Sequence, residues 1–351
     1  MIRINELKAP IDDCDIRRLI AKRLKLKPDV FEYRILRRSI DSRTKHPLRL
    51  IYSVSVSFKS AEDEELVLRH RDRNISKYTP VIYVPINKGT CLVNRPIIIG
   101  MGPAGLFAAY ILALNGLNPI ILERGDRVEL RDEAVLKFFR EGVLNPESNV
   151  QFGEGGAGTF SDGKLNTTVK DRYGRQTFIL ETFVKFGANE DILYDNRPHI
   201  GTDYLKRVIV NMREELLSLG ATIHYNTRVM SIITDNGRVK GVIDDKGETY
   251  LSDNVVLAIG HSSRDTIKRL FEDGVRMEAK PFAVGLRIEH DREFINRTQY
   301  NEHNSLLLPT AYYKLTYHAD NGRNVFSFCM CPGGHVVNAS SEEGLLVVNG
   351  M

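Results

Sequence analysis

The chain has 351 residues, of which 42% are hydrophobic and 27% charged, an ordinary globular composition with room for two or more domains. No apolar run approaches the roughly 18 residues of a membrane span, and the charged start MIRINELKAPIDD lacks a signal-peptide core. Four cysteines, far apart except Cys329 and Cys331, exclude a disulfide framework, so we expect a cytoplasmic location.

Residues 1–94 have the pattern of a small separate α+β domain, which we expect to be ferredoxin-like. Apolar periodicity predicts strands at 2–7, 30–40, 48–58 and 81–84 and helices at 15–26 and 61–70. Residues 1–95 hold 21 Lys and Arg against 12 Asp and Glu, whereas the remainder holds 28 against 33. This asymmetry is compatible with an RNA or acidic partner, with a solvated basic face, or with docking on the acidic remainder.

The stretch 96–125 has the pattern of a nucleotide-binding βαβ unit. An apolar strand at 97–99 leads into GxGxxG, a helix follows at 104–115, and a second strand at 120–122 ends in Glu123. Gly100 permits a tight turn, Gly102 admits a pyrophosphate to the backbone, and Gly105 allows close helix packing. The helix N-terminus attracts phosphate, and Glu123 stands at the position that accepts from ribose hydroxyls. These features predict a bound dinucleotide.

A second glycine cluster follows a predicted helix at 128–141, in the sequence QFGEGGAGTFSDGKLNT at 151–167. It has no preceding apolar strand, so it is not another nucleotide-binding turn. Its backbone can lie flat against a planar ligand, with Thr159, Ser161, Asp162 and Lys164 as polar contacts. The alternative is a surface loop.

The remaining chain returns to the sheet and then becomes strand-rich. Helices are predicted at 175–186 and 203–219, a strand at 221–224, and a hairpin of 230–234 and 239–244 across Asn236-Gly237. The apolar run at 255–260 is expected to rejoin the nucleotide sheet. Residues 276–351 form a predicted β-rich substrate domain that includes PFAVGLRIEH at 281–290 and FCMCPGGHVV at 328–337.

These motifs resemble a known family. GMGPAG, Glu123-Arg124 and TYLSDNVVLAIG at 249–260 are similar to flavoproteins of the glutathione-reductase type with two dinucleotide-binding domains. With the N-terminal domain, EGGAGTFSDGKL and FCMCPGG, the chain resembles a bacterial group of predicted FAD-dependent dehydrogenases. The implied architecture is α/β: a Rossmann-like FAD-binding domain at 95–275 with a helical insertion near 126–205, flanked by the two smaller domains.

The resemblance also implies the cofactor contacts. The pyrophosphate would lie on the GMGPAG turn, the ribose on Glu123, the adenine on the backbone of Val229, and the isoalloxazine on the second glycine loop. The expected FAD contacts are Gly100, Gly102, Pro103, Ala104, Gly105, Glu123, Arg124, Gly155, Gly156, Ala157, Gly158, Thr159, Ser161, Asp162, Val229 and Gly260.

The sequence departs from the family in two ways. Flavoproteins of this type have a late strand that ends in Gly-Asp. No such strand is found before the chain ends at LLVVNGM, so we expect a truncated chain that binds FAD poorly. No second strand-GxGxxG-helix and no CxxxxC pair occur, which argues against disulfide-reductase activity. NAD(P)H is therefore expected only as a transient electron donor.

Three residues are candidates for catalysis. Lys164 can stabilise negative charge on reduced flavin, or be a surface lysine. His261 can donate to flavin or substrate, or belong to a helix cap. Cys331, in C-x-C, can be redox-active or bind a metal, or fill a core; C-x-C alone lacks the second ligand pair of a zinc site, so no metal is assigned.

The sequence favours an FAD-dependent oxidoreductase that passes hydride or electrons through flavin to a small-molecule substrate or redox partner. The alternatives are a flavin-dependent RNA-modifying enzyme that uses the basic N-terminal domain, and a non-catalytic FAD-binding protein. Salt-dependent RNA association would favour the first, and absence of flavin turnover the second.

Overall fold

The computed structural model describes residues 1–12, 15–43, 47–85, 92–160, 163–165, 167, 169–300, 308–327, 330–331 and 334–350. The predicted cofactor contacts Ser161 and Asp162, together with Cys329 of the C-x-C motif, lie outside the described residues. Within those ranges, no helix combines the length and apolar character needed to cross a membrane.

The N-terminal part forms an antiparallel sheet with two helices on one face. Its elements are β1 (Ile2–Ala9), α1 (Ile16–Leu24), β2 (Phe31–Asp41), β3 (Arg49–Phe58), α2 (Ala61–Arg69) and β4 (Ile75–Lys77). The strand order β2-β3-β1-β4 is that of a split βαβ, or ferredoxin-like, arrangement. Alternate residues Ile2, Ile4, Val54 and Val56 are fully buried against the helices, as period-2 alternation requires.

The strand predicted at 81–84 is wrong. Residues 81–85 have no regular structure, and Val81, Ile82 and Val84 are exposed. The fourth strand is Ile75–Lys77, whose backbone pairs with Ile2 to Ile4 of β1. A short apolar run becomes a strand only where a neighbouring strand supplies hydrogen bonds.

The next part contains a parallel sheet with layers on both faces. Its elements are β5 (Ile97–Ile99), α3 (Pro103–Leu114), β6 (Ile120–Leu122), α4 (Val128–Glu141), α5 (Arg175–Lys185), α6 (Thr202–Ser218), β7 (Thr222–His224), β8 (Val229–Asp235), β9 (Arg238–Asp244), β10 (Thr249–Leu251), β11 (Val255–Leu257) and α7 (Arg264–Glu272). Two 3-10 helices, Ala157–Phe160 and Glu190–Leu193, lie between α4 and α6. The parallel strand order is β11-β5-β6-β7, so the expected return of the chain to the nucleotide sheet is confirmed.

Two apolar cores hold this sheet. On one face Ile98 and Ile121 pack with α3 and with Met212 of α6. On the other, Ile97 and Leu122 pack with Val229 and Val242 of the antiparallel sheet β10-β9-β8. The β8–β9 hairpin turns through Asn236-Gly237, both with positive φ, as the predicted tight turn requires. The central strands β5 and β6 are therefore covered on both faces, whereas Val256 and Leu257 of β11 are exposed.

The described residues of the C-terminal part form one helix and four short strands. Its elements are α8 (Arg292–Tyr300), β12 (Thr316–His318), β13 (Asn324–Phe326), β14 (Val336–Asn338) and β15 (Val348–Gly350). The strand prediction for 281–290 is wrong, because this segment has no regular structure. Its alternating Phe282, Val284, Leu286 and Ile288 are all at least 73% exposed.

The N-terminal sheet contacts the nucleotide-binding part through arginines of β2. Arg38 donates to both carboxylate oxygens of Asp195 (2.6 and 2.9 Å), and Arg34 donates to Glu181 (2.8 Å). The Arg38 backbone also exchanges hydrogen bonds with Tyr194 and Asn196. Part of the basic face is therefore docked on acidic residues of the same chain.

Candidate functional site

A cavity of about 510 Å³ lies where the parallel strands β5, β6 and β11 end. This edge of an open parallel sheet is the usual place for a ligand. Three segments distant in sequence form its wall: the GMGPAG turn, the second glycine loop and the turn after β11. The predicted site residues on the wall are Gly100, Gly102, Pro103, Ala104, Glu123, Arg124, Gly156, Ala157, Gly158, Val229, Gly260 and His261.

The GMGPAG turn is shaped by two close backbone approaches. Gly100 has φ +95°, and a Cβ there would lie 2.6 Å from the carbonyl oxygen of Ala258 in the turn after β11. A Cβ on Gly105 would lie 2.0 Å from the carbonyl oxygen of Gly100. Gly105 is buried and is not on the wall, so its observed role is to let α3 pack against the end of β5.

The N-terminus of α3 opens at this wall. Gly102 is its N-cap and provides no side-chain cap, and Pro103 occupies the first helical turn. A helix start without a cap keeps unsatisfied N–H groups and a partial positive charge. Because Gly102, Pro103 and Ala104 line the cavity, this helix end offers an anion site there.

Glu123 connects the two glycine-rich segments. Its buried carboxylate accepts hydrogen bonds from the backbone N–H of Gly125 (2.9 Å), of Gly153 (3.0 Å) and of Met101 (2.6 Å). Met101 belongs to the first turn and Gly153 to the second loop. Oε2 has one backbone donor and keeps a lone pair for a further hydrogen bond. Glu123 therefore has a structural role that sequence reasoning missed.

Arg131 of α4 holds the second glycine loop in place. It is fully buried and donates to the carbonyl oxygens of Asn149 (2.8 Å), Val150 (3.0 Å), Glu154 (2.6 Å) and Gly156 (2.9 Å). Burial lowers the pKa of its guanidinium to about 10, and the nearby carboxylates act in the opposite direction. The group is therefore charged at neutral pH.

Sequence reasoning missed Arg131, although a signal was present. Val128, Arg131, Val135 and Phe138 are three or four residues apart and form the buried face of α4. A charged residue within an apolar helical stripe needs internal partners, and the carbonyl groups of the loop supply them.

Two predicted contacts of the second loop lie off the wall. The Thr159 side chain is buried beside Arg131, with Oγ1 3.5 Å from Nη1. A Cβ on Gly155 would lie 2.3 Å from Thr159 Oγ1, so glycine is required there by packing. The loop meets the cavity instead through Gly156, Ala157 and Gly158.

A group of charged residues borders the cavity near the start of β8. Arg124 donates to Asp265 (3.0 and 3.1 Å) and to Glu147 (3.0 Å), and its guanidinium lies 4.0 Å from the ring centroid of Phe152. Burial raises the pKa of Asp265, but the hydrogen bonds and charge of Arg124 outweigh it, so the pKa is lowered. Arg228 donates hydrogen bonds to the same two carboxylates, those of Glu147 and Asp265. Phe152 and Arg228, which sequence reasoning missed, also line the cavity.

The three catalytic candidates fall into two places. His261 is exposed and lines the cavity. Lys164 and Cys331 do not line it, but the fold brings these residues, 167 positions apart in sequence, together, with Nζ 3.1 Å from Sγ. Cys331 Sγ also lies 3.2 Å from the carbonyl oxygen of Gly350. The pair thus joins the second loop to the C-terminal part of the chain.

Residues 281–351 match the family described as FAD-dependent protein, C-terminal domain-like. Residues 1–57 match a domain family of unknown function. An uncharacterized protein of Clostridium beijerinckii is 46% identical over the whole chain, which spans 66% of that relative's length. The C-terminal match supports a flavin-dependent function.

More distant similarities cover only part of the chain. A thiamine thiazole synthase of Thermotoga maritima is 25% identical over 152 residues, 43% of this chain and 47% of that protein. Among solved structures, THI4 of Thermovibrio ammonificans aligns with a TM-score of 0.34 at 18% identity over 52% of this chain and 62% of that one. An FAD-dependent pyridine nucleotide-disulphide oxidoreductase of Desulfovibrio vulgaris aligns with a TM-score of 0.24 at 17% identity over 59% and 31%. At these scores the alignments carry no functional argument.

Proposed function

We propose that the cavity binds FAD and that the protein is an FAD-dependent oxidoreductase. The observation that carries the proposal is the convergence of three glycine-containing segments, at 100–104, 156–158 and 257–261, on one cavity at the ends of parallel strands. The family match of residues 281–351 supports flavin as the ligand.

The residues present fit a dinucleotide cofactor. A Cβ on Gly102 would have only one neighbour within 4 Å, the Cα of Gly156 at 3.7 Å, so the backbone is bare where a pyrophosphate would approach. The uncapped start of α3 supplies donors for its phosphates. Glu123 keeps an acceptor for a ribose hydroxyl, and Val229 lines the cavity near the proposed adenine position.

Flavin, when bound, supplies hydride or single-electron transfer. The chain's own residues then bind, orient and shield it. Gly156 to Gly158 present backbone without bulky side chains, and His261 can hold or deliver a proton at an imidazole nitrogen from the cavity wall. Lys164 and Cys331 contact each other and are proposed as a second polar group that acts toward substrate. NAD(P)H is a proposed donor that would bind only transiently.

The RNA-modifying alternative has less support than it had from charge alone. Arg34 and Arg38, two of the basic residues that suggested a nucleic-acid surface, are paired with Glu181 and Asp195 of the same chain. Their charge is therefore partly neutralised within the fold. The non-catalytic alternative also remains. Turnover of bound flavin would distinguish an enzyme from a protein that only binds FAD.

The test is FAD binding by the purified protein, with mass analysis of any released ligand and a titration of apo-protein. In Gly102→Ala the added methyl makes only an ordinary contact with Gly156, so the fold should persist while the pyrophosphate approach is blocked. We expect a loss of FAD affinity of about tenfold or more. Gly285→Ala is the control, because its Cβ would meet nothing within 4 Å.

The proposal is wrong if the ligand released from the native protein is a nicotinamide nucleotide, or if Gly102→Ala binds FAD as tightly as the control does. Bound flavin that is neither reduced by NAD(P)H or substrate nor reoxidised with turnover would favour the non-catalytic alternative.

A further inference from the structure

A second cavity, of about 240 Å³, lies between the N-terminal sheet and the segment that joins α5 to α6. One wall comes from β1 and β2 and includes Arg3 and Arg37. The other includes Leu165, Gln176, Leu180, Asp195 and Asn196, and both carboxylate oxygens of Asp195 accept hydrogen bonds from Arg38. This cavity shares no lining residue with the proposed FAD cavity.

The arginines of this cavity are on the helix-free face of the N-terminal sheet. Arg3 pairs with Ser55, and Arg37 pairs with Ser53. In β3 these serines alternate with Tyr52, Val54 and Val56, which are buried against the helices. Paired residues of adjacent strands point to the same face, so two long cationic side chains flank small serines. The serines leave room for the cavity.

The positive charge of this face is only partly neutralised. Arg34, on the same face, pairs with Glu181, and Arg38 at the sheet edge pairs with both oxygens of Asp195. By contrast, the cavity arginines donate to neutral amides: Arg3 to Asn5 (2.9 Å) and Arg37 to Asn196.

Among the residues that the structure describes, neither Arg3 nor Arg37 has a carboxylate partner. A guanidinium carries five N–H donors in a planar fork, so each keeps donors free. Two cations in one cavity repel each other unless an anion joins them.

We propose that this cavity is a binding site for a compact dianion, a phosphate group or a small dicarboxylate, held between Arg3 and Arg37. Guanidinium forks match both oxyanions in geometry and charge. Gln176 and Asn196 supply neutral amide groups on the opposite wall. The site is independent of the proposed flavin function.

A ligand here would connect two parts of the chain. Leu165, on the cavity wall, donates its backbone N–H to Pro198, and Ile200 donates to Gly163. Both bonds belong to the segment that carries Lys164. An anion bound by Arg3 and Arg37 would therefore stabilise the docking of the N-terminal sheet on the end of the second glycine loop.

The test is calorimetric titration of the full chain with inorganic phosphate, and separately with succinate, at constant ionic strength. We expect saturable binding of at least one of them by the native protein. Arg3→Gln and Arg37→Gln should each weaken it about tenfold or more. Arg34→Gln is the matched control, since it removes an arginine from the same face outside the cavity; it should stay within about threefold, because distant charges are screened.

Asn196→Asp separates binding from folding. It is isosteric and can keep the hydrogen bond to Arg37, but it places a carboxylate in the cavity. We expect unchanged or higher thermal stability and about tenfold weaker dianion binding. The proposal is overturned if neither dianion binds saturably, if Asn196→Asp binds as tightly as the native protein, or if Arg34→Gln loses as much affinity as Arg37→Gln. Binding lost in Gly102→Ala but kept in Arg3→Gln would place the anion at α3 and overturn it too.

Discussion

The two glycine-rich segments of the proposed FAD site are built in different ways. The GMGPAG turn is formed by its own neighbours in sequence: β5 leads in, α3 leads out, and Gly105 packs against Gly100 five residues earlier. The second loop has no strand before it and is held by a buried arginine and a buried glutamate from elsewhere. A local turn can be recognised from a motif, whereas a loop held by distant side chains cannot.

The largest effect on stability is expected when Arg131, which holds the second loop, is replaced. In Arg131→Met the loop carbonyls lose their donors, and Glu154 loses a nearby compensating charge. We expect the free energy of unfolding to fall by about 4 kcal/mol, measured by urea unfolding. Arg140→Met, an exposed position on the same helix, should change it by less than about 0.5 kcal/mol. Equal effects of the two would show that Arg131 does not hold the loop.

The first turn is tested by Gly105→Ala. The added methyl would lie 2.0 Å from the carbonyl oxygen of Gly100, so α3 must move away from β5. Although alanine favours helix by about 1 kcal/mol, we expect a net loss of about 2 kcal/mol in unfolding free energy from overpacking. FAD affinity should fall with it, because the start of α3 moves. A stabilised variant would contradict the packing seen here.

Glu123→Gln tests the link between the two segments. The amide nitrogen would face a backbone N–H instead of accepting from it, so we expect apo-protein stability to fall by about 1–2 kcal/mol. FAD affinity should fall by about tenfold or more. Glu141→Gln, at the exposed end of α4, is the control. Lost FAD affinity with unchanged apo stability would mean that Glu123 acts on the ribose alone.

The smallest effect on stability is expected for Gly158→Ala. A Cβ there would meet nothing within 4 Å, so the free energy of unfolding should change by less than about 0.5 kcal/mol. Because Gly158 lines the cavity, FAD affinity should nevertheless fall if the loop lies against the flavin. Unchanged affinity by FAD titration would remove Gly158 from the proposed contacts.

The same contrast applies to strands. In β1 the alternating Ile2 and Ile4 are fully buried, because β3 and β4 pair on either side. In 281–290 the same alternation leaves Leu286 fully exposed, and no β partner is present among the described residues. Alternation of apolar and polar residues indicates which side of an extended segment is apolar. It does not indicate whether a neighbouring strand exists.

The sequence by itself determined the βαβ unit, the hairpin at Asn236-Gly237 and the return of β11, because each depends on residues that are close along the chain or on a distinctive apolar run. Tertiary structure alone decided the roles of Arg131 and Glu123, the contact between Lys164 and Cys331, and the unpaired segment 281–290. These depend on which groups meet across separations of 18 to 167 positions or on whether a backbone partner is present. Hydrogen-bond satisfaction in the folded interior selects them.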